Sequence, residues 1–75
     1  MPRSRHLKKR SLVLAGHRTS IAMEDEFLRV LDSIARERGS SFAALITQID
    51  ASRGRDVPLV SALRLAALRH AVGED

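Results

Sequence analysis

Arg18-Thr-Ser-Ile-Ala-Met-Glu-Asp-Glu-Phe-Leu-Arg-Val-Leu-Asp-Ser-Ile-Ala-Arg-Glu-Arg-Gly-Ser-Ser-Phe-Ala-Ala-Leu-Ile46 decides the reading of the chain, because its hydrophobic period changes part-way from that of a strand to that of a helix. In Thr19–Met23, positions 19, 21 and 23 face one way and 18, 20 and 22 the other. This alternation predicts a strand over about 18–23 with Ile21 and Met23 on a core and Arg18, Ser20 and Ala22 outward. From Glu24 the spacing lengthens. Phe27, Val30, Leu31, Ile34 and Ala35 recur three and four apart and make one apolar stripe. Glu24, Asp25 and Glu26 put negative charge at the positive end of that helix, and Arg36 and Arg38 put positive charge at the other. Gly39 stands where a left-handed residue ends a helix, so the first helix spans about 24–38. Ser41 is a good N-cap for a second helix, about 41–51, with Phe42, Leu45, Ile46 and Ile49 as its stripe.

Upstream, Leu12 and Leu14 alternate with Ser11, Val13 and Ala15, and Gly16-His17 separates this run from the strand. Gly at the first central position signals a two-residue type II′ turn. Such a turn sets Leu12 opposite Ile21 and Leu14 opposite Thr19 on one face. The pattern permits a hairpin without requiring it. Residues 1–9 read as a flexible basic arm and 10–75 as a single domain. Downstream, the polar loop Ser52-Arg53-Gly54-Arg55-Asp56 precedes a third helix, about 58–72, with Pro58 in its first turn and Gly73 at its stop. Leu59, Val60, Leu63, Leu65, Ala66, Ala67 and Leu68 cover more than half its circumference. A helix so apolar is expected to be buried on more than one side, as in a subunit contact.

A domain of 75 residues buries a modest fraction of its surface and needs a staple or a partner. There is no Cys, which excludes disulfides and thiolate metal sites and leaves oligomerisation. Residues 1–20 carry six Lys or Arg and no acid, and the remainder carries seven Arg against nine Asp or Glu, so +6 and −2 give the net +4. A basic N-terminal portion on a near-neutral body suggests an anionic partner, nucleic acid first; the bland alternative is a solubilising tail. Leu12-Val-Leu-Ala15 is too short for a secretory core, and no stretch is long enough to span a membrane. A bacterial-type cytoplasmic protein is the default expectation.

Chemistry-bearing constellations are absent from the pattern. His6, His17 and His70 lie in three segments, none paired at the i, i+4 spacing of a helical zinc site. The four glycines are dispersed and form no phosphate loop, and no nucleophile elbow gathers Ser, His and Asp. A non-enzyme without metal or cofactor is the expectation. Phe27 and Phe42 fall in apolar stripes and read as core.

The order strand, acidic helix start, amphipathic helix, Gly, polar cap, second amphipathic helix over about 17–51 resembles the ribbon-helix-helix (Arc/MetJ-like) family of small repressors. Lys9-Arg-Ser-Leu-Val-Leu-Ala-Gly-His-Arg-Thr-Ser20 and Ser61-Ala-Leu-Arg-Leu65 resemble a bacterial subgroup with an extra C-terminal helix. The resemblance implies a mainly α, intertwined homodimer in which one strand from each subunit builds an antiparallel ribbon. It implies a dimer core of Ile21, Met23, Phe27, Leu31, Ile34, Phe42, Leu45, Ile46 and Ile49. It further implies a transcription regulator whose ribbon enters the major groove of double-stranded DNA. Carried over by position, Arg18, Ser20 and Ala22 contact bases. Ser40, Ser41 and Phe42 at a helix start, with Lys8, Lys9 and Arg10, contact phosphates. This chain departs from strong DNA binders in having one long polar reader per subunit. If residues 10–15 also fold back on 18–23, a dimer sheet becomes four strands wide, too wide for a groove of about 12 Å. The alternative is then a non-catalytic protein-interaction module, an antitoxin-like or adaptor dimer. A third reading is nonspecific nucleic-acid association through the basic arm alone.

Overall fold

Residues 7–74 are described by a computed structural model. The elements run β1 (Leu7–Leu14), β2 (His17–Glu24), α1 (Asp25–Arg38), α2 (Phe42–Ser52) and α3 (Leu59–Ala71). The two strands pair antiparallel from Leu14↔His17 out to Leu7↔Glu24, so the permitted hairpin is formed. Its turn differs from the sequence expectation. Ala15 at φ 52 and Gly16 at φ 81 are the two central residues, and positive φ at both is the type I′ geometry, whose twist matches that of the strands. The sequence places the turn one residue later, at Gly16-His17. In consequence Leu12 faces Thr19 and Arg10 faces Ile21, two residues out of the expected register. A two-residue slip keeps every side chain on its face, so Leu12, Ile21 and Met23 remain buried.

Ala15 carries the cost of the left-handed conformation. Asn tolerates that region and opens the favoured Asn-Gly turn. Ala15→Asn is therefore expected to stabilise the fold by roughly 0.5–1 kcal/mol, read as a rise in the urea midpoint at constant m-value.

β1 also begins earlier than the periodicity suggests. Leu7, Lys8 and Lys9, which the sequence assigns to the flexible arm, pair with Glu24, Met23 and Ala22. The backbone of that half of β2 thereby finds hydrogen-bond partners within the chain. Arg3, Arg5 and His6 lie outside the described residues.

The helix ends follow the chemistry of their residues. Gly39 adopts φ 67 at the end of α1, and the N–H groups of Gly39 and Ser40 donate to the carbonyls of Arg36 and Ala35 at 3.1 and 2.9 Å, a Schellman-type close. The Ser41 hydroxyl then accepts the Ala44 N–H at 3.0 Å and caps α2. Buried positions of α1 are Leu28, Leu31, Ile34 and Ala35, with Phe27 and Val30 half-buried. Leu28 falls outside the stripe read from the sequence. It is buried because α3 packs along α1 and widens the covered arc.

One core joins the inner face of the hairpin to all three helices. Its fully buried side chains are Met23, Leu28, Leu31, Leu45, Ile46 and Leu63. The residues expected in a dimer core are found here in the core of the single chain. Ile21, Met23, Leu31, Ile34, Leu45 and Ile46 are buried within a single chain, while Phe27, Phe42 and Ile49 are half-buried against them. Within the chain the hairpin gives β2 a partner strand and α3 packs against α1 and α2, which covers these positions from several sides. The third helix is covered within the chain on one side. It buries Leu63 and Ala67 but leaves Leu65, Leu68 and Val72 exposed. Among the described residues no helix is long and apolar enough to cross a membrane.

Candidate nucleic-acid interface

Strand alternation sorts the hairpin's side chains onto two faces with different tasks. The outer face carries the cross-strand pairs Lys9↔Ala22, Ser11↔Ser20 and Val13↔Arg18. Lys9, Ser11, Val13, Arg18 and Ser20 are exposed and Ala22 is half-buried. The Ser11 and Ser20 hydroxyls approach to 3.4 Å, so donors and acceptors sit side by side at the centre of the face with a cation at either end. Glu24, at the far end of β2, has its charge met by Arg64 of α3, whose guanidinium lies 2.9 Å from it. Arg64 also lies over the Phe27 ring, 5.7 Å from its centroid. The face thus combines two cations and two hydroxyls with the exposed apolar side chains of Leu7 and Val13. A two-residue turn closes on a hydrogen-bonded pair, here Leu14 and His17, so alternate pairs outward from it share backbone bonds. The backbone groups of Arg18, Ser20 and Ala22 consequently point to the outer edge of β2.

Arg10 leaves the set of phosphate contacts. Its position in β1 has the parity of Leu12 and points inward. There its two terminal nitrogens donate to the two carboxylate oxygens of Asp32 on α1, each at 2.8 Å. The guanidinium also stacks 4.6 Å from the centroid of Phe42 at the start of α2. It is a staple across three elements. Lys8 and Lys9 remain exposed.

At the expected phosphate site of Ser40, Ser41 and Phe42, several groups already serve the fold. The Ser40 N–H serves the Ala35 carbonyl, the Ser41 side chain serves Ala44, and the Phe42 ring lies beside Arg10. This helix start stands under the β1 side of the hairpin, on the helical side of the sheet. Arg18 and Ser20 are on the other side, so the structure does not bring the two groups together. Asp32, Glu24 and Arg64 are absent from the sequence-derived site, yet the parity of Arg10 with Leu12 signals that an inward arginine needs a carboxylate. Among the described residues no cluster of His, Asp or Glu could hold a metal ion.

The staple has a pH signature. Asp32 is held below the ordinary carboxylate range, first by the hydrogen bonds from Arg10, against the opposing effect of burial, and then by the charges of Arg10 and Arg36. A carboxyl lowered in the folded state stabilises above its unfolded value and loses that contribution as pH falls through the folded one. The window is thus below about pH 4. Asp32→Asn is expected to flatten the acid limb of stability against pH there. At neutral pH it should cost about 1 kcal/mol or less, because both side chains are roughly a third exposed and solvent screens the pair. Urea midpoints from pH 2 to 7 for both proteins check this.

A family model for the ribbon-helix-helix domain matches residues 7–71. With the hairpin followed by its helices, the chain belongs to that family, and its extra C-terminal helix, α3, lies within the matched span. Ribbon-helix-helix domains are non-enzymatic regulatory folds that typically dimerise and generally serve as DNA-binding transcription regulators or antitoxins. No curated protein and no solved structure is a significant match to the chain.

Proposed function

We propose that this protein is a homodimeric DNA-binding transcription regulator that meets the duplex with the outer face of its hairpin. The observation that carries the reading is the grouping of Lys9, Ser11, Arg18 and Ser20, all exposed, on one face of a two-stranded ribbon. The major groove admits such a ribbon. Here one subunit supplies both strands, in place of one strand from each of two subunits. Arg18 is the guanine-reading side chain, and Ser20 with its neighbour Ser11 is the adaptable hydrogen-bonding pair. Ala22 contributes at most a methyl contact, and Lys9, on the same face, neutralises a phosphate, while Lys8, of opposite parity, reaches one only from the flank of the hairpin.

The test is duplex binding on selected and random sequences across a salt series. Lys9→Ala is expected to weaken binding to all sequences alike and to make the log–log salt slope shallower by about 0.9, the value of one phosphate contact. Sequence-independent binding unchanged by Arg18→Ala would overturn groove readout.

One observation favours the second reading, a protein-interaction module. The outer edge of β2 is open, and two copies pairing there would make a sheet of four strands. With strands about 4.8 Å apart, that sheet exceeds a groove of about 12 Å. Its face, with Val13 and Leu7 exposed, would then suit a protein. A dimer that retains no DNA, and is lost when Ser20 is replaced by Pro to block edge pairing, supports this alternative.

A further inference from the structure

The helical side of the molecule carries a second surface. A cleft of about 290 Å³ opens between α2 and α3. A smaller one of about 170 Å³ extends it toward the end of α1. Both share Ile49, Ala66 and Arg69, so they form one groove with an apolar floor. Beside it the exposed face of α3 continues as Leu65, Leu68 and Val72, which are 46, 55 and 60% exposed. Their three- and four-residue spacing makes a stripe along the helix. The groove lies open along the surface, whereas a metabolite pocket encloses most of its ligand. Its shape fits a second helix laid alongside.

Charge selects the occupant. The residues lining the groove include Arg38, Arg53 and Arg69 and no acid. Arg53 is matched by Asp50 at 2.7 Å. Arg69 makes no side-chain hydrogen bond or ion pair among the described residues. α3 itself contains Arg64, Arg69 and His70 and neither Asp nor Glu. Arg64 is engaged by Glu24 at 2.9 Å and His70 lies 3.6 Å from Glu37, so of these three Arg69 is the cation placed to meet an incoming carboxylate. We propose that the α2–α3 groove and the adjoining stripe of α3 dock an acidic amphipathic helix of another protein. Leu65, Leu68 and Val72 supply the apolar seam, and Arg69 pairs with a carboxylate at its edge. This surface is remote from the hairpin's outer face and does not depend on DNA binding.

The experiment titrates the full chain with two labelled synthetic helical peptides sharing one leucine stripe at i, i+3, i+4 and i+7. One is flanked by Glu and the other by Lys. The acidic peptide is expected to bind at least about ten-fold tighter, a difference of about 1.4 kcal/mol, with amide shifts confined to α2, α3 and the end of α1. Leu68→Ser should weaken it by a similar factor. Arg69→Glu should reverse the preference between the two peptides, and Arg18→Ala should change neither. Equal binding of both peptides, an unaltered preference in Arg69→Glu, or shifts mapping to the hairpin would overturn the proposal. So would a wild-type dimer that Leu68→Ser converts to monomer without affecting the peptide, because a second copy would then be the occupant.

Discussion

Leu45→Ala is expected to remove a large part of the molecule's stability. Leu45 has no exposed surface within one chain, and it lies in the cluster that joins β2, α1 and α3. Truncating a buried Leu loses the transfer energy of the removed groups and adds the cost of a cavity, together about 2–5 kcal/mol. A domain of 75 residues has in total roughly 4–11 kcal/mol at the usual stability per residue. The variant should therefore melt far below the wild type or be partly unfolded at room temperature. Urea unfolding at several protein concentrations measures it. Because the cavity forms inside a single chain, the loss in stability should be the same at every concentration. Midpoints that rise with concentration for wild type and variant alike report dimerisation and leave the difference between them unchanged. Leu68→Ala supplies the contrast. It has the same side chain on an exposed position of α3, and its effect on folding is expected to stay within about 0.5 kcal/mol.

The sequence made the elements and their faces legible because periodicity reports which side of a strand or helix is covered. Ile21 and Met23 inward, and Arg18 and Ser20 outward, follow from alternation alone and survive an error in register. The register itself was not legible, because both Ala15-Gly16 and Gly16-His17 offer a glycine. The choice falls to whichever turn lets Arg10 reach Asp32 and the longer ladder back to Leu7 form. Subunit structure was also hard to read. A buried apolar stripe has the same pattern whether the covering surface comes from the same chain or another, so Leu31 and Leu45 could be assigned to a dimer core. For the same reason the apolar girth of α3 did not reveal which part, Leu63 and Ala67, turns inward. The candidate site was half visible. Arg18, Ser20 and Ala22 lie together on one face, whereas Arg10 required the tertiary position of Asp32 to be understood.

Arg10→Ala and Arg18→Ala are expected to have opposite consequences, although both remove one cation from the same hairpin. Arg10 makes a two-pronged ion pair with Asp32 and a cation–π contact with Phe42. The pair is about a third exposed and so contributes up to about 1 kcal/mol, with roughly 0.5–1 kcal/mol more from the ring. Arg10→Ala should lower stability by about 1–2 kcal/mol. Where it folds, its DNA affinity should fall little, since that charge already faces a carboxylate. Arg10→Lys should recover only part of the stability, because an ammonium lacks the planar fork that matches both oxygens of Asp32. Arg18 is exposed on the outer face and paired across the strands with Val13. Its removal should leave the unfolding midpoint within about 0.5 kcal/mol of wild type. It should cost about 1–3 kcal/mol in binding to a selected sequence, the worth of a bidentate base contact, and much less on random duplex. Stability and affinity measured on the same preparations separate the two roles. If Arg18→Ala destabilises the fold and Arg10→Ala abolishes binding without unfolding, the two faces of the hairpin are assigned the wrong way round.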